Sequence, residues 1–327
     1  MPGLIEAIRQ NSFAVFGRAG IDLFPDPPGT RTAEAEVLRT GLGGSAANIA
    51  AGICKFGGNA SLITSLSQDA VAEFCLTQLA HYGVGTEYIQ RVAGEFRTSL
   101  AVYESRLTDH QTVLYRNAAV DFQVTPEDVD AVDFSRFGAF ITAGTVFAAE
   151  PSRSAAFYAF ERAAAAGLPI IFDVDYRPYS WPGPEVAAEV LSRAGAKSDV
   201  IVGNDEEFGF MAGDMARGLQ KAQDLAANGA GIVVFKMGEK GAITFAGKEE
   251  IQTGIFPVNA LKPTGAGDSF LAGMLASLAA GYALKDAILR GSACAAIVVS
   301  KPGCAPAMPD AAALEDFLSQ HPGPRAT

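Results

Sequence analysis

The chain has 327 residues, and 49% of them are hydrophobic, enough for one large domain or two ordinary ones. The formal net charge is −11 and the pI is about 4.8, which argues against a nucleic-acid partner because phosphate binding needs clustered basic side chains. No run of about 18 apolar residues occurs, and the N-terminus lacks a basic stretch followed by an apolar one. We therefore expect a cytoplasmic protein that does not bind a membrane.

Cysteine and histidine are sparse and scattered. The cysteines Cys54, Cys75, Cys294 and Cys304 lie far apart and form no CxxC pair, which predicts free thiols in a reducing compartment. The three histidines are equally dispersed, so we expect no zinc site.

Short apolar runs alternate with helical patterns along most of the chain. The predicted strands are 13–16, 60–65, 139–142, 169–174, 200–202 and 232–235. The predicted helices are 44–56, 71–82, 152–166, 185–194, 205–212, 219–227, 268–280 and 284–299. Such alternation is typical of a mainly parallel sheet that is covered by helices on both faces.

Two segments interrupt this alternation. Residues from about 21–40 are rich in proline and polar residues, and 97–103 and 111–116 are predicted strands around a polar turn. These strands have no crossover helices between them. We therefore predict a small β-sheet lid, formed by about 21–40 and 97–117, within a single domain that spans 1–327.

The most informative motif is KPTGAGDSF at 262–270. Gly265, Ala266 and Gly267 precede a helical pattern, and a small-residue turn at a helix N-terminus leaves backbone N–H groups free to bind an anion. A carboxylate beside such a turn would repel a bound phosphate, so its presence there implies a function, such as taking a proton from an attacking hydroxyl. Asp268 therefore indicates phosphoryl transfer to an alcohol. The alternative is an ordinary loop in which Asp268 caps the helix.

A second small-residue turn, 41–48, also opens a predicted helix. Gly44 allows a ligand to approach the backbone, and Asn48 offers an amide to a hydroxyl-bearing ligand. The alternative is close packing of the helix on the sheet. Asp22 follows the first strand at the carboxyl edge of the predicted sheet, where it could accept hydrogen bonds from two sugar hydroxyls. The alternative for Asp22 is a solvated loop residue.

Two further strand ends carry candidate nucleotide contacts. Asn204 and Glu207 are three residues apart, so Glu207 could order Mg²⁺ through water while Asn204 contacts a phosphate oxygen. The alternative is a helix N-cap with acidic residues in the first turn. A later strand containing Lys236 runs into a turn with Gly238 and Gly241, along which a nucleotide could lie. A plain hairpin loop is the alternative there.

Two arginines are candidates for binding a substrate carboxylate. Arg177 lies in the segment 173–181, which also contains two aspartates and the only tryptophan of the chain. Arg116 lies at the end of a predicted lid strand. A guanidinium can bind a carboxylate with two hydrogen bonds. The alternative for each arginine is a surface ion pair.

Together these motifs resemble the PfkB/ribokinase family of ATP-dependent sugar kinases over about residues 13–306. The Gly-Gly-x-x-x-Asn, Asn-x-x-Glu and Thr-Gly-Ala-Gly-Asp motifs occur in the order and spacing of that family. The resemblance implies a ribokinase-like three-layer α/β/α sandwich with a mainly parallel central sheet and a small β-sheet lid. It also implies ATP and Mg²⁺ as cofactors, and a homodimer that pairs through the lid.

The resemblance further implies a role for each candidate residue. Asp268 would be the general base, and the backbone of Gly265, Ala266 and Gly267 would form the anion hole. The substrate contacts implied are Asp22, Gly44, Asn48, Arg116 and Arg177. The nucleotide contacts implied are Asn204, Lys236, Gly238, Gly241 and Gly267, with Glu207 and Asn204 serving Mg²⁺ through water.

Within the family, the stretches 172–181 and 115–119 resemble members that phosphorylate six-carbon keto sugar acids, as in inositol catabolism. Two arginines in one pocket would suit a carboxylate substrate and would be poorly placed for a neutral nucleoside. We therefore predict phosphorylation of a terminal primary hydroxyl on a keto sugar acid. The alternatives are a 2-keto-3-deoxygluconate kinase or a fructokinase- or ribokinase-type sugar kinase. A nucleoside kinase or a non-catalytic sugar- or nucleotide-binding protein is less favoured.

One residue departs from the pattern of the family. Many relatives carry an aspartate six residues before the base, where it helps to bind a monovalent cation, but this chain has Lys262. A lysine cannot ligate potassium, although its ammonium group could occupy the place of the cation. The resemblance therefore predicts weak or no activation by potassium.

Overall fold

The computed structural model describes residues 2–321 and 323–324. The helices are α1 (Pro2–Arg9), α2 (Ser45–Lys55), α3 (Ala70–His81), α4 (Pro126–Asp130), α5 (Ser152–Ala165), α6 (Pro184–Gly195), α7 (Asp205–Ala212), α8 (Gly218–Ala227), α9 (Ala266–Ala279), α10 (Leu284–Val299) and α11 (Ala311–Gln320). Within the described part of the chain, every helix is too short or too polar to span a lipid bilayer.

The strands are β1 (Ser12–Phe16), β2 (Gly20–Asp26), β3 (Val37–Gly43), β4 (Asn59–Ser67), β5 (Gly85–Val92), β6 (Leu100–Tyr103), β7 (Thr112–Tyr115), β8 (Ala139–Ala143), β9 (Ile170–Asp173), β10 (Val200–Asn204), β11 (Ile232–Lys236), β12 (Ala242–Ala246) and β13 (Glu249–Thr253). They form two separate sheets, one large and one small.

The large sheet has the strand order β13-β12-β11-β10-β9-β8-β1-β4-β5. Its strands are parallel except β12, which is antiparallel to both of its neighbours. All five residues of β8 are buried, and the first four of β10 and β11 are buried as well. Continuous apolar strands of this kind are stable only where helices cover both faces of the sheet.

The hydrophobic core consists of two layers, one on each face of the large sheet. Strand β1 contributes to both layers, because Phe13 and Val15 point to one face while Ala14 and Phe16 point to the other. Helices α1, α2, α3, α9 and α10 cover the first layer. Helices α4 to α8 cover the second. The predicted three-layer α/β/α arrangement with a mainly parallel sheet is therefore confirmed.

The small sheet has the strand order β3-β2-β6-β7. It overlaps the segments predicted to form the lid, but β3 continues beyond them to Gly43. The pairs β2–β3 and β6–β7 are antiparallel, whereas β2 and β6 are parallel. In this register Asp22 lies opposite Gly41 on one side and Ala101 on the other.

The topology brings several polar residues to one edge of the large sheet. The parallel strands β9, β10 and β11 end at Asp173, Asn204 and Lys236, respectively. Carboxyl ends of parallel strands meet at a common edge, where ligands bind in open α/β sheets.

Candidate active site

The centre of the site is the small-residue turn that precedes α9. Gly265 caps this helix, with a φ of 84° that favours glycine. The first N–H groups of a helix have no acceptor within the helix, so the turn formed by Gly265, Ala266 and Gly267 can bind an anion. The alternative in which Asp268 caps the helix is wrong, because Asp268 lies inside the first turn.

Asp268 is held by the helix that follows the other glycine turn. Its Oδ2 accepts a hydrogen bond from Nδ2 of Asn48 at 2.8 Å. Burial and the nearby carboxylate of Asp175 raise the pKa of Asp268 to about 6, while the bond from Asn48 opposes that shift. The carboxylate is thus ionised at neutral pH and remains basic enough to accept a proton.

Asn48 also has a free acceptor. Its Oδ1 is buried and has no hydrogen-bond partner among the described residues. Buried polar atoms are rarely left without a partner. This oxygen is therefore available to a ligand hydroxyl, which fits the substrate contact predicted for Asn48.

Asp22 is buried on the small sheet, so the alternative of a solvated loop residue is wrong. Burial and the carboxylate of Asp268 raise the pKa of Asp22, whereas Arg18 and Lys262 oppose the shift, and the net pKa is about 7. A Cβ atom at Gly43 would lie only 2.0 Å from Oδ1 of Asp22. The glycine is therefore needed for this carboxylate to fit.

Gly44 has a φ of 98°, and a Cβ atom there would lie 2.2 Å from the carbonyl oxygen of Arg18. Only glycine fits against that backbone, so close packing of this turn on the chain after β1 accounts for Gly44. The tight turn also fixes where α2 begins, at Ser45, and hence where Asn48 points.

Ser45 and Asp175 contribute to the site although the sequence motifs gave neither a role. Oγ of Ser45 donates to Oδ2 of Asp175 at 2.6 Å. Asp175 is buried and has a φ of 35°, a left-handed conformation that costs about 1–3 kcal/mol in a residue other than glycine. The Asp-Val-Asp sequence at the end of β9 was the available signal, but the sequence alone did not identify the partner.

Arg177 connects this carboxylate to the next strand end. Its Nη2 lies 2.6 Å from Oδ1 of Asp175, and its Nη1 lies 3.8 Å from Oε1 of Glu207. Nη1 also donates to the carbonyl oxygen of Tyr176 at 2.9 Å. The ion-pair interpretation is therefore confirmed, although the side chain is still 44% exposed and open to a ligand.

Arg116 is buried rather than at the surface. Its guanidinium forms an ion pair with Asp121 and lies 3.9 Å from the ring centroid of Phe122. Its Nη1 is buried and has no hydrogen-bond partner among the described residues. Within that part of the chain, no hydrogen bond or ion pair connects Arg116 to Asp268 or Arg177.

Asn204 and Glu207 form a capping box at the start of α7. Oδ1 of Asn204 accepts from the N–H of Glu207, and Oε2 of Glu207 accepts from the N–H of Asn204, both at 2.8 Å. The N-cap interpretation is therefore confirmed. Burial raises the pKa of Glu207, while Lys236 and Arg177 oppose that shift. Nδ2 of the Asn204 side chain and Oε1 of Glu207 are not used by the cap.

Lys236 points towards the anion-binding turn. A Cβ atom at Gly267 would lie 3.3 Å from Nζ of Lys236, and Nζ also lies 5.7 Å from the ring centroid of Phe270. The ammonium group is thus next to the N-terminus of α9. A bound phosphate there would meet both a positive side chain and free backbone N–H groups.

Gly238 and Gly241 flank a short 3-10 turn between the antiparallel strands β11 and β12. Their φ angles are 57° and 82°, and a Cβ atom at Gly241 would lie 2.0 Å from the carbonyl oxygen of Thr253. The hairpin interpretation is therefore confirmed. Nothing in this geometry requires a nucleotide.

Comparison with known proteins identifies the family. The model of the pfkB family of carbohydrate kinases matches residues 10–311. The 5-dehydro-2-deoxygluconokinase of Photobacterium profundum is 36% identical, with 93% of each chain covered. The enzyme of the same name from Geobacillus kaustophilus is 34% identical, with 94% of each chain covered.

The fold agrees with this assignment. The crystal structure of a fructokinase with bound ATP from Xylella fastidiosa superposes with a TM-score of 0.83 at 24% sequence identity, covering 95% of this chain and 99% of that one. The ribokinase-like fold predicted from the motifs is therefore confirmed. The chain belongs to the pfkB family of carbohydrate kinases.

Proposed function

We propose that the protein transfers the γ-phosphoryl group of ATP to the terminal primary hydroxyl of a keto sugar acid. The substrate proposed is 5-dehydro-2-deoxy-D-gluconate, and the product is its 6-phosphate, as in inositol catabolism. The observation that carries the proposal is the contact of Asn48 with Asp268 beside the turn at the N-terminus of α9. The shared name of the two relatives supports the choice of substrate.

In the transfer step Asp268 accepts the proton of the attacking hydroxyl. The N–H groups of Gly265, Ala266 and Gly267 stabilise negative charge on the transferring group, and this stabilisation is strongest where water is excluded. The ammonium of Lys236 adds positive charge at the same place. No covalent phosphoenzyme is required, because the hydroxyl and the phosphoryl group react directly.

The substrate is proposed to lie between the small sheet and the start of α2. Asp22 and the free Oδ1 of Asn48 are proposed to accept hydrogen bonds from sugar hydroxyls, and Gly44 is proposed to border the sugar. The exposed part of Arg177 and the free Nη1 of Arg116 are proposed to bind the carboxylate.

ATP is proposed to lie along the carboxyl ends of β10 and β11. Nδ2 of the Asn204 side chain and the ammonium of Lys236 are suited to bind phosphate oxygens. Gly238, Gly241 and Gly267 border the nucleotide. Among the described residues, no three acidic, histidine or cysteine side chains form a cluster that could hold a metal. Glu207 would instead hold Mg²⁺ together with Asn204 through water, which suits an ion that keeps several waters and binds phosphates. When bound, Mg²⁺ neutralises phosphate charge.

We also propose a cytoplasmic location, a single kinase domain over residues 1–327 and a lid at about 21–40 and 97–117. The four cysteines are free thiols, which supports a reducing compartment. The outer face of the small sheet is apolar, with Leu38, Val113 and Tyr115 exposed. This face is proposed to pair with the same face of a second copy, which would bury those side chains.

The experiment that tests the proposed function is a coupled ADP-release assay with Mg²⁺–ATP. The acceptors are 5-dehydro-2-deoxygluconate, 2-keto-3-deoxygluconate, fructose, ribose and adenosine. We expect the highest kcat/KM with the first acceptor. Preference for a neutral sugar or a nucleoside would contradict the substrate assignment but not the kinase activity, and turnover of none of them would contradict both.

The variant Arg177→Ala tests the carboxylate contact. Loss of a charge-assisted contact should raise KM for the acid acceptor by about 10- to 100-fold and leave KM for fructose nearly unchanged. The matched control is Arg193→Ala, because Arg193 packs over the ring of Phe157 and, in the described part of the chain, forms no hydrogen bond or ion pair with a site residue. An unchanged KM for the acid would remove Arg177 from this role.

A further inference from the structure

Lys262 is a fully buried lysine next to the site, and the transfer step described above does not use it. Its exposed fraction is 0%. Nζ donates hydrogen bonds to the carbonyl oxygens of Thr264 at 2.5 Å and Val298 at 3.3 Å. Burying a charged lysine without partners would be strongly unfavourable. The two carbonyl oxygens are the partners that stabilise its charge here.

The bond to Thr264 acts on the anion-binding turn directly. The carbonyl of Thr264 and the N–H of Gly265 belong to the same peptide group. A positive charge on that carbonyl polarises the peptide, which makes the N–H a stronger donor and fixes the peptide plane. The group oriented in this way is the N–H of Gly265, the first N–H of the anion-binding turn.

The bond to Val298 fixes the ammonium group itself. Val298 lies in the last turn of α10, where the helix dipole favours a cation. Its carbonyl oxygen also accepts a hydrogen bond from the N–H of Lys301 at 3.2 Å. The backbone is tied to the same helix end, because the N–H groups of Leu261 and Lys262 both point to the carbonyl of Val299, at 2.6 and 3.2 Å. Lys262 therefore bridges the C-terminus of α10 and the turn before α9.

The surrounding charges also favour an ammonium ion here. Burial lowers the pKa of Lys262, but Asp22 and Asp268 both oppose that shift, as does the thiol of Cys304. The ammonium of Lys262 thus adds to the positive charge of Arg18 and Lys236 that offsets these two carboxylates near the turn.

We propose that Lys262 is a positioning residue that serves as a tethered cation, holding and polarising the Thr264–Gly265 peptide of the anion hole. This inference rests on the role proposed above for that turn. It makes a mobile monovalent cation unnecessary, because the charge is covalently attached to the chain.

The test compares kcat in potassium, ammonium or tetramethylammonium chloride at equal ionic strength. Wild type should show the same kcat in all three salts. Lys262→Ala should lower kcat by about 10- to 100-fold in tetramethylammonium, with a smaller change in KM for ATP, because the turn acts mainly on the transition state. Potassium or ammonium should restore most of that loss and raise Tm, because a small cation can fill the space that the side chain leaves.

Two controls separate this role from simple packing. Lys262→Met should lower kcat equally but resist rescue, because its side chain fills the same space. Lys55→Ala should change neither kcat nor its cation dependence, although Lys55 also donates to a backbone carbonyl, that of Met308.

The proposal would be overturned by a potassium requirement in wild type, which can be measured even if no variant folds. A folded Lys262→Ala with wild-type kcat, or one that neither cation restores, would overturn it as well. The kcat of each variant is compared with that of wild type, using the acceptor that wild type prefers. Turnover of no acceptor by wild type would contradict the proposed function, and the cation-dependent Tm of Lys262→Ala would still report on the tethered cation.

Discussion

Asp268 illustrates how neighbouring residues can set the basicity of a carboxylate. Burial and the carboxylate of Asp175 disfavour its ionised form, and the amide of Asn48 stabilises it. The resulting pKa of about 6 lies close to neutral pH, which suits the general-base role proposed for Asp268.

Removing the carboxylate while keeping its shape tests this role. We expect Asp268→Asn to lower kcat by roughly 10²–10⁴ with a modest change in substrate KM, because the variant can still hydrogen-bond but cannot accept a proton. Steady-state kinetics with the preferred acceptor would measure both constants. Turnover near that of wild type would exclude Asp268 as the base.

The same carboxylate predicts a pH dependence. Because the base must be ionised, kcat/KM should fall as the pH drops below about 6, with protonation of a single group. Asp175→Asn removes a neighbouring negative charge, so the pKa of Asp268 should fall and the acidic limb should move to lower pH. A limb that stays in place, or lies nearer the pKa of about 7 of Asp22, would indicate that another group controls it.

For individual residues, the sequence alone could predict those whose proposed role follows from their spacing to near neighbours in the chain. The turn before Asp268 is an example, because three small residues and a helical pattern are contiguous. Ser45 and Asp175 could not be paired, since 130 residues separate them and only the fold brings them into contact. Likewise, nothing in the sequence distinguishes an Arg116 buried against Asp121 from one at the surface.

Among the structural elements, the parallel strands β1, β4, β8, β9, β10 and β11 were predicted, whereas the parallel edge strand β5 was not. Their apolar runs are long and end at glycine or polar residues, and the predicted ranges differ from the observed ones by only a few residues. Strands β2 and β3 were not predicted individually, although most of their residues lie in the predicted lid segment. In β2, Pro25 argues against a strand. Pro25 is tolerated because it pairs only with β3, while the pairing of β2 with β6 stops at Leu23.

The small sheet also predicts how the protein associates. Val113→Lys places a charge on its outer face, so we expect the variant to be monomeric where wild type is dimeric. Light scattering after size-exclusion chromatography would measure the mass, with Leu107→Lys as the control because Leu107 is equally exposed but lies between β6 and β7. A monomeric wild type, or a dimeric Val113→Lys, would contradict pairing through this face.

For the whole molecule, the site exists only when the complete sheet has formed. Asp22, Asn48, Asp175, Glu207 and Asp268 come from widely separated parts of the chain. The net charge of −11 would repel an anionic substrate, so the site depends on local positive charge from Lys236, Arg177 and the helix N-termini. The alternation of predicted strands and helices indicated the class of fold, but the net charge could not predict this local reversal of charge.

The reversed direction of β12 has a practical consequence. Because β12 runs antiparallel to β11, the turn after β11 lies at the same edge as Asp173 and Asn204, and the turn between β12 and β13 lies at the opposite edge. That second turn is exposed at Gly247 and Lys248. A fluorescent reporter or an affinity tag inserted between these two residues would be carried on the far side of the molecule, leaving the reacting groups undisturbed.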